Sequence, residues 1–326
     1  MSRVVPADEI GLERAAAELR AGRAVAFPTE TVYGLGADAR EPRAVARIFA
    51  LKGRPPDHPL IVHVAGAEGL ATWIDPLPDG ALTLARAFWP GPLTLVGPRA
   101  AGVPDAVTGG QATVAVRCPG HPVAQALLAR VGRALAAPSA NRFGRLSPTR
   151  AEHVAEEFAD DDLLVLDGGP CEVGLESTIV DLTGVTPRLL RPGGIGREAL
   201  AAVLGRPLEL AGDEVGDVPR APGRLRSHYA PGAPLRLVDA GELPAAVAPG
   251  EAALLRVAEA PAGAPVQRLP GDPSGYGRAL YAALRALDAT SPRAIVVEAP
   301  PQDEAWRAVR DRLARAAAPR PEGEDR

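Results

Sequence analysis

Short apolar runs alternate with stretches of helical periodicity along the chain, and this alternation restricts the fold more than any other feature. Apolar or alternating runs predict strands at 24–27, 59–64, 93–96, 113–117 and 163–166. The stretch 28–36 predicts a polar loop, whereas 42–51 and 123–131 have the spacing of helices. Several neighbouring strands lack the long crossover that parallel pairing needs. The sequence therefore predicts an α/β fold built on a mixed sheet.

One segment, 205–233, interrupts this pattern, because it is rich in Pro, Gly, Asp and Arg and shows no sustained period. A length of 326 residues also favours two domains. We therefore predict a first domain at 1–204, a linker at 205–233, a smaller α/β domain at 234–318 and a disordered tail at 319–326. The second domain is predicted to contain strands at 235–238, 252–257 and 294–297 and helices at 276–287 and 303–317.

Composition argues against several classes of protein. The formal net charge of −4 gives no global basic field for nucleic-acid binding, and two cysteines are too few for a disulfide framework. No apolar run approaches the roughly 18 residues of a membrane span, and residues 1–9 lack the apolar region of a signal peptide. We therefore expect a soluble, cytoplasmic protein without membrane contact. A Walker-type phosphate loop, a zinc-ligand spacing and a Ser-His-Asp order are also absent from the sequence.

Two residues are rare enough to be informative. Lys52 is the only lysine among 36 lysine and arginine residues, and Asn141 is the only asparagine. Arginine is a poor substitute where a compact ammonium must reach a phosphate or carboxylate. We interpret their segments, 52–55 and 138–141, as halves of one site, with chance survival in a biased composition as the alternative. We expect Lys52 to be an exposed loop residue that contributes little to stability.

Polar residues cluster at the predicted strand ends and would converge if the strands share one sheet. The cations suited to phosphate or carboxylate groups are Lys52, Arg54, Arg117 and Arg191. The neutral hydrogen-bonding groups are Thr29, Thr31, Thr113, Ser139, Ser147, Ser177 and Asn141. His63 and Glu30 are the groups able to handle a proton or an amine. The residues alone thus predict a cationic pocket for a phosphorylated ligand.

Each interpretation has a structural alternative. His63 lies in an apolar strand, where a core histidine is more common than a functional one. Arg117 precedes a Cys-Pro pair and is also compatible with a solvated strand end. Ser147 comes directly before a proline and suits a helix N-cap, and residues 176–178 suit a simple turn.

Six short motifs occur in order over the first ~200 residues. They are FPTETVYGLG (27–36), KGRP (52–55), PLIVH (59–63), WPGPLT (89–94), PSAN (138–141) and ESTI (176–179). In this order they strongly resemble the threonylcarbamoyl-AMP synthase family, and SHYAP (227–231) with the second α/β region resembles its longer, two-domain branch. The resemblance implies a YrdC-like twisted mixed sheet with helices, plus a smaller C-terminal Rossmann-like α/β domain.

The resemblance also implies an ATP-dependent nucleotidyltransferase. L-threonine, bicarbonate or CO₂, and ATP with Mg²⁺ would give L-threonylcarbamoyladenylate and pyrophosphate. Downstream transferase proteins would then modify adenosine 37 of tRNA, and direct contact with tRNA would be weak. Catalysis of such a displacement would be mostly positioning and charge neutralisation.

Roles for individual residues follow from the same resemblance. Lys52 and Arg54 would be catalytic and would hold the ATP phosphates. The other ATP-binding residues would be His58, Thr113, Ser139, Asn141, Ser147, Arg191, His228 and Tyr229. Threonine would be bound by Thr29, Thr31, His63, Arg117 and Ser177. His58 stands where the family commonly has asparagine, which would make a phosphate contact pH-dependent, and the linker would lie over the active site.

Two other functions compete with this one. The first is an RNA-binding module of the same fold without synthase activity, which the net charge of −4 and the lack of basic-aromatic interleaving disfavour. The second is a carbamoyl-transfer module of the hydrogenase-maturation type, which would need acylphosphatase-like and zinc-finger regions that the sequence lacks. For the second domain, the sequence leaves open gating of the active site, support of a dimer and docking of the transferase.

Overall fold

The chain divides into two compact units in a computed structural model, which describes residues 2–212 and 218–319. The large unit comprises Met1–Phe143, Pro148–Glu172 and Glu176–Arg224. The small unit comprises Gly144–Ser147, Val173–Leu175 and Leu225–Arg326. Two short loops that lie between segments of the large unit in the sequence thus belong to the small unit.

The large unit is built around one sheet. Its strands are β1 (Arg3–Pro6), β2 (Val25–Phe27), β3 (Gly34–Asp38), β4 (Ile61–His63), β5 (Leu93–Pro98), β6 (Thr113–Arg117), β7 (Leu135–Ala136), β8 (Leu164–Asp167), β9 (Thr178–Asp181), β10 (Arg188–Arg191) and β11 (Glu209–Leu210). Among the described residues the strand order is β1-β8-β2-β3-β7-β4-β6-β5-β9-β10-β11. β4 and β6 run parallel while β5 and β6 run antiparallel, so the predicted mixed sheet is confirmed.

Helices pack against this sheet. They are α1 (Glu9–Arg20), α2 (Pro42–Lys52), α3 (Ala81–Phe88), α4 (Asp105–Thr108), α5 (Pro122–Val131), α6 (Ala151–Glu157) and α7 (Arg197–Leu204), with a 3₁₀ helix at Ala67–Thr72. α1 and α5 bury a shared apolar cluster against β2 and β8, and each fully buried Leu or Val stabilises the unit by about 1.5–3 kcal/mol. No helix among the described residues is long and apolar enough to cross a membrane.

The central strands present different residues on their two faces. Val62, Leu95 and Val116 belong to the main core cluster on one side. Ile61, Ala115 and Val96 belong to a smaller apolar cluster on the other. Because side chains alternate along a strand, residues two positions from this second set lie on the face of the smaller cluster. That face carries the candidate site.

The small unit contains a parallel sheet of its own. Its strands are β12 (Leu235–Val238), β13 (Ala252–Leu255), β14 (Val266–Arg268) and β15 (Ile295–Glu298), and its helices are α8 (Leu243–Ala246), α9 (Pro273–Asp288) and α10 (Arg307–Ala317), preceded by a 3₁₀ turn at Glu304–Trp306. Within the described residues the strand order is β12-β15-β13-β14. Glu298 closes the loop after β13, because its Oε2 accepts the N–H groups of Arg256, Val257 and Ala258 at 2.6, 2.8 and 2.9 Å.

Several strands were missed by the pattern in the sequence: β1, β3, β11 and β14. The stretch from 28 to 36 was expected to be loop, but β3 begins at Gly34. Glycines lower the strand propensity of this stretch, and pairing with β2 and β7 overrides that preference. Gly36 is needed here, since a Cβ at this position would lie 2.6 Å from the Phe27 ring.

The boundaries of the units differ from those expected. Residues 205–212 and 218–224 of the predicted linker belong to the large unit, and residues 225–233 belong to the small unit. The linker also contributes β11, which pairs with β10. Residues 213–217 of the linker and all of the predicted tail except Pro319 lie outside the described residues.

Candidate active site

Four polar side chains lie side by side on neighbouring strands of the large unit, and we call them the polar row. His63 on β4 pairs in register with Arg117 on β6, which pairs with Thr94 on β5. Ser177, directly before β9, places its Oγ 2.7 Å from Thr94 Oγ1. Residues paired across strands face the same side of a sheet. All four are buried, so strand register and one side-chain hydrogen bond assemble a polar strip inside the unit.

Arg117 organises one end of this strip. Its Nη1 donates to Thr31 Oγ1 at 2.9 Å, its Nη2 donates to Glu30 Oε1 at 2.7 Å and its Nε donates to the carbonyl of Gly91 at 3.3 Å. Thr29 shapes the same loop, because its Oγ1 lies 2.8 Å from Thr31 Oγ1 and donates to the Val32 carbonyl at 2.6 Å. Thr31 therefore contacts the cation directly, whereas Thr29 holds Thr31.

Burial decides the charge states in this strip. Burial, followed by the charge of Arg117, lowers the pKa of His63 to about 3, so the imidazole is neutral at pH 7. Its Nδ1 lies 3.3 Å from the Ile61 carbonyl oxygen. Burial acts to raise the pKa of Glu30, but the charge and hydrogen bond of Arg117, together with backbone N–H groups of Glu30 and Gly120, outweigh burial and lower this pKa. Glu30 and Arg117 thus form a buried ion pair.

Arg191 extends the strip at its other end. Its Nη2 and Nε donate to Ser177 Oγ and to the Ser177 carbonyl, both at 3.1 Å. Its Nη1 donates to the carbonyl of Pro222 at 2.9 Å. Ala221 joins the apolar cluster on this face. A segment of the predicted linker therefore packs within the large unit, on the side of the sheet that carries the polar row.

Lys52 is buried, and the expectation of an exposed loop lysine is wrong. It is the last residue of α2, on the face that also buries Val45, Ile48 and Phe49, and it is 2% exposed. Its Nζ donates to the carbonyls of Ser139 and Asn141 at 2.6 and 2.5 Å. Burial, followed by repulsion from Arg54, lowers the pKa of Lys52 well below its ordinary value.

The two rare residues of the sequence therefore meet. Gly53 ends α2 in the left-handed conformation with φ of 62°, which turns the chain away directly after Lys52. The N–H of Phe143 donates to the Lys52 carbonyl at 2.8 Å. Main-chain and side-chain bonds thus join the 52–55 segment to the 138–143 segment, as the halves of one site require.

Phe143 was missed from the sequence. The guanidinium of Arg54 lies 5.5 Å from its ring centroid, and the ring of His58 packs edge-on at 5.2 Å. Arg54 also donates to the Pro59 carbonyl at 3.0 Å. Its position two residues after Asn141, next to a predicted site segment, was the sequence feature that could have identified it. Burial, then Arg54, lowers the pKa of His58, with Asp57 opposing them.

The remaining predicted residues lie elsewhere. Thr113 begins β6 opposite Pro98 and is partly exposed. Ser147, His228 and Tyr229 belong to the small unit and are buried. There, the His228 and Tyr229 rings are 4.2 Å apart, and the guanidinium of Arg312 lies 5.1 Å from the Tyr229 ring. Tyr229 adopts a positive φ of 60°.

Within the described residues, no group of three or more His, Cys, Asp and Glu side chains could bind a metal ion. The predicted phosphate side is formed instead by the cations Lys52 and Arg54. Such residues suit anionic oxygen atoms directly.

Two family models match the chain. One, described as "Telomere recombination", matches residues 17–193. The other, described as "Threonylcarbamoyl-AMP synthase, C-terminal domain", matches residues 195–318.

Named relatives agree with these models. A threonylcarbamoyl-AMP synthase of Pyrococcus abyssi is 48% identical over 235 residues, which cover 71% of this chain and 69% of that protein. One of Bacillus subtilis is 47% identical over 234 residues, which cover 70% of this chain and 66% of that protein. The solved structure of Sua5 of Pyrococcus abyssi complexed with L-threonine is 39% identical, with a TM-score of 0.90 over 97% of both chains. The predicted fold and resemblance are thereby confirmed.

Proposed function

Because this chain belongs to the threonylcarbamoyl-AMP synthase family, we propose that it converts L-threonine, bicarbonate or CO₂, and ATP into L-threonylcarbamoyl-AMP and pyrophosphate. The observation that carries the proposal is the buried Arg117 in the polar row, beside Thr31 and neutral His63. A buried guanidinium flanked by hydroxyls suits the carboxylate of an amino acid. The family match and the chemistry of the site agree.

The threonine side of the site is the polar row. Arg117 binds the carboxylate, and Thr31 and Ser177 supply hydroxyl contacts close to it. His63 is neutral, so it donates or accepts one hydrogen bond without adding charge. Thr29 acts through Thr31, whose hydroxyl it holds.

The ATP side is formed by the segments that Lys52 joins. Two of the three ammonium protons of Lys52 are used by main-chain carbonyls, which leaves one for a phosphate oxygen. Arg54 and His58, positioned against Phe143, supply further donors. Ser139 and Asn141 belong to the segment that Lys52 joins. Nucleotide contacts by Thr113 and Arg191 stay predictions. ATP binding by Ser147, His228 and Tyr229 stays a prediction.

The reaction is an in-line displacement. An oxygen of the threonine carbamate attacks the α-phosphorus, the bond to the β-phosphate oxygen breaks, and pyrophosphate leaves with the electron pair. Lys52 and Arg54 neutralise negative charge on the phosphates. Mg²⁺ would enter as part of the substrate MgATP and would offset charge on the leaving pyrophosphate.

Other roles stay predictions of the family resemblance. The product would pass to transferase proteins that modify adenosine 37 of tRNA, with weak tRNA contact by this chain. A cytoplasmic location would follow from such a role. The RNA-binding alternative is disfavoured by the synthase relatives.

Pyrophosphate release tests the proposal. Purified protein is assayed with MgATP, threonine and bicarbonate, and with each omitted in turn. We expect release only with all three present. An Arg117→Lys variant is expected to raise the KM for threonine while nucleotide binding is retained, since lysine cannot reproduce the forked contacts. Release without threonine, or salt-sensitive tRNA binding with no release at all, would contradict the proposal.

A further inference from the structure

The buried ion pair beside the polar row contains an acid that the proposed function leaves without a role. Glu30 and Arg117 are 7% and 4% exposed, and Glu30 Oε1 lies 2.7 Å from Arg117 Nη2. A buried ion pair is poor evidence of added stability, since the free energy of desolvation offsets the attraction. A functional reason for this pair is therefore worth seeking.

The second carboxylate oxygen of Glu30 points to such a reason. Oε2 is buried, and no described residue makes a hydrogen bond with it. A buried charged oxygen without a donor is costly, so its place in the fold calls for an explanation, and a bound cationic group would supply one. The pKa of Glu30 is lowered, so this oxygen carries charge at neutral pH.

The geometry of an amino acid matches this pair. In a bound threonine the ammonium nitrogen is about 2.5 Å from the carboxyl carbon, because N–Cα and Cα–C are single bonds. A carboxylate on the guanidinium of Arg117 therefore brings the ammonium close to the acid already bonded to that guanidinium. The carboxylate of threonine then lies against Arg117 and its ammonium lies against Glu30, so each buried charge has a partner of opposite sign.

We propose that Glu30 binds the α-ammonium of substrate threonine through Oε2 while Arg117 binds its carboxylate. This inference rests on the proposed function and adds a residue to its binding site. Glu30 thereby makes the site selective for α-amino acids over the corresponding hydroxy acids. A carboxylate that only neutralised Arg117 would confer no such selectivity.

The test compares two ligands that differ only at the α-position. L-threonine and 2,3-dihydroxybutanoate, in which a hydroxyl replaces the ammonium, are titrated calorimetrically into the full chain without ATP. We expect wild type to bind threonine about 10- to 100-fold more tightly, the range for a hydrogen bond to a charged group. Glu30→Gln is expected to lose most of that ratio. Equal ratios in wild type and Glu30→Gln would overturn the inference.

Controls separate this role from a structural one. Loss of Glu30 leaves Arg117 uncompensated, so a folding defect is expected to weaken both ligands equally, and the ratio of affinities is the decisive quantity. Glu18→Gln removes a carboxylate on α1 that pairs with Arg23, and this variant is expected to keep the wild-type ratio. Should Glu30→Gln not fold, Glu30→Asp is tested instead. It keeps the charge but draws the carboxylate back from the ammonium, so the ratio of affinities is expected to fall. An unchanged ratio in Glu30→Asp would count against the inference.

A rival residue and the parent proposal are tested in the same experiment. Glu176 is a second buried acid, directly before Ser177. Loss of the ratio in Glu176→Gln but not in Glu30→Gln would assign the ammonium to Glu176 and overturn the inference. Wild type that binds neither ligand and releases no pyrophosphate would instead contradict the proposed function.

Discussion

Buried cations at this site are bound by groups that cannot be identified from the amino-acid composition of the loops. The ammonium of Lys52 is bound by two main-chain carbonyls, and the guanidinium of Arg117 is bound by a carboxylate, a hydroxyl and a carbonyl. Each cation is thus positioned before any ligand arrives. Preorganised donors of this kind need little reorganisation as charge develops in a displacement.

Substitution of Lys52 tests whether this positioning also contributes to stability. Lys52→Met keeps the apolar stem but leaves two buried carbonyls without a donor, so we expect the free energy of unfolding to fall by about 1–3 kcal/mol. We also expect turnover to fall by roughly 100-fold or more, the range for loss of a preorganised donor. Urea denaturation and pyrophosphate release measure the two effects.

The matched control lies on the same helix. Arg47 is an exposed cation of α2, so Arg47→Met is expected to change both quantities little. A Lys52→Met protein with wild-type stability would show that the carbonyl contacts contribute nothing to folding.

His63 predicts a pH dependence of stability. Its pKa is about 3 in the folded protein and 6.5 when exposed, so below pH 6.5 the unfolded state binds a proton that the folded state does not. The contribution of His63 to the free energy of unfolding is complete above pH 6.5. It decreases as the pH is lowered, by about 2 kcal/mol at pH 5. We expect His63→Gln to lose about that much less between pH 7 and pH 5. Identical losses in urea denaturation of the two proteins would contradict the assigned burial.

Among the elements, strand register does most of the assembly. β4, β5 and β6 were all predicted from apolar or alternating patterns, and the convergence of their polar ends followed from placing them in one sheet. The pairing of His63 with Arg117 was not accessible, because sequence does not specify which residues stand opposite each other. The burial of Lys52 was missed for a related reason: its acceptors are main-chain atoms 87 and 89 residues away.

The turn after β10 packs closely against the backbone on both sides of Ser177. A Cβ on Gly193 would lie 2.4 Å from the Thr178 nitrogen and 2.6 Å from the Glu176 carbonyl oxygen. Gly193→Ala must therefore displace the backbone that carries Ser177. We expect a loss of about 1–3 kcal/mol in unfolding free energy and weaker threonine binding.

Gly196 in the same turn provides the comparison. A Cβ there meets no atom of the described residues within 4 Å, and its φ of −72° suits any residue, so Gly196→Ala is expected to resemble wild type. Equal effects of the two substitutions on calorimetric threonine binding would show that close backbone packing at Gly193 does not position Ser177.

In the whole molecule, the two compact units are not two consecutive stretches of the sequence. The loops Gly144–Ser147 and Val173–Leu175 pack with residues beyond 224. Within the small unit, Arg285 donates to the Leu146 carbonyl at 2.5 Å, and a Cβ on Gly277 would lie 3.0 Å from Leu175 Cδ1. The small unit therefore supports loops that interrupt the chain of the large unit.

Removal of residues 225–326 tests this dependence. We expect a protein that unfolds at lower temperature and has lower activity, because Leu146 and Leu175 lose the residues that bury them, at about 1.5–3 kcal/mol each. In the full-length chain, Leu175→Ala is expected to reproduce part of the destabilisation. Thermal unfolding and pyrophosphate release with undiminished values in the truncated protein would contradict this account.

The reaction proposed for this molecule joins a carbamate of threonine to the α-phosphorus of ATP, with release of pyrophosphate. The most direct measurement is mass spectrometry of the product made from threonine, MgATP and ¹³C-labelled bicarbonate, with Lys52→Met assayed in parallel. We predict threonylcarbamoyl-AMP that carries one ¹³C atom, with a strong reduction in Lys52→Met. Pyrophosphate release accompanied by plain AMP or unlabelled adenylate would contradict the claim.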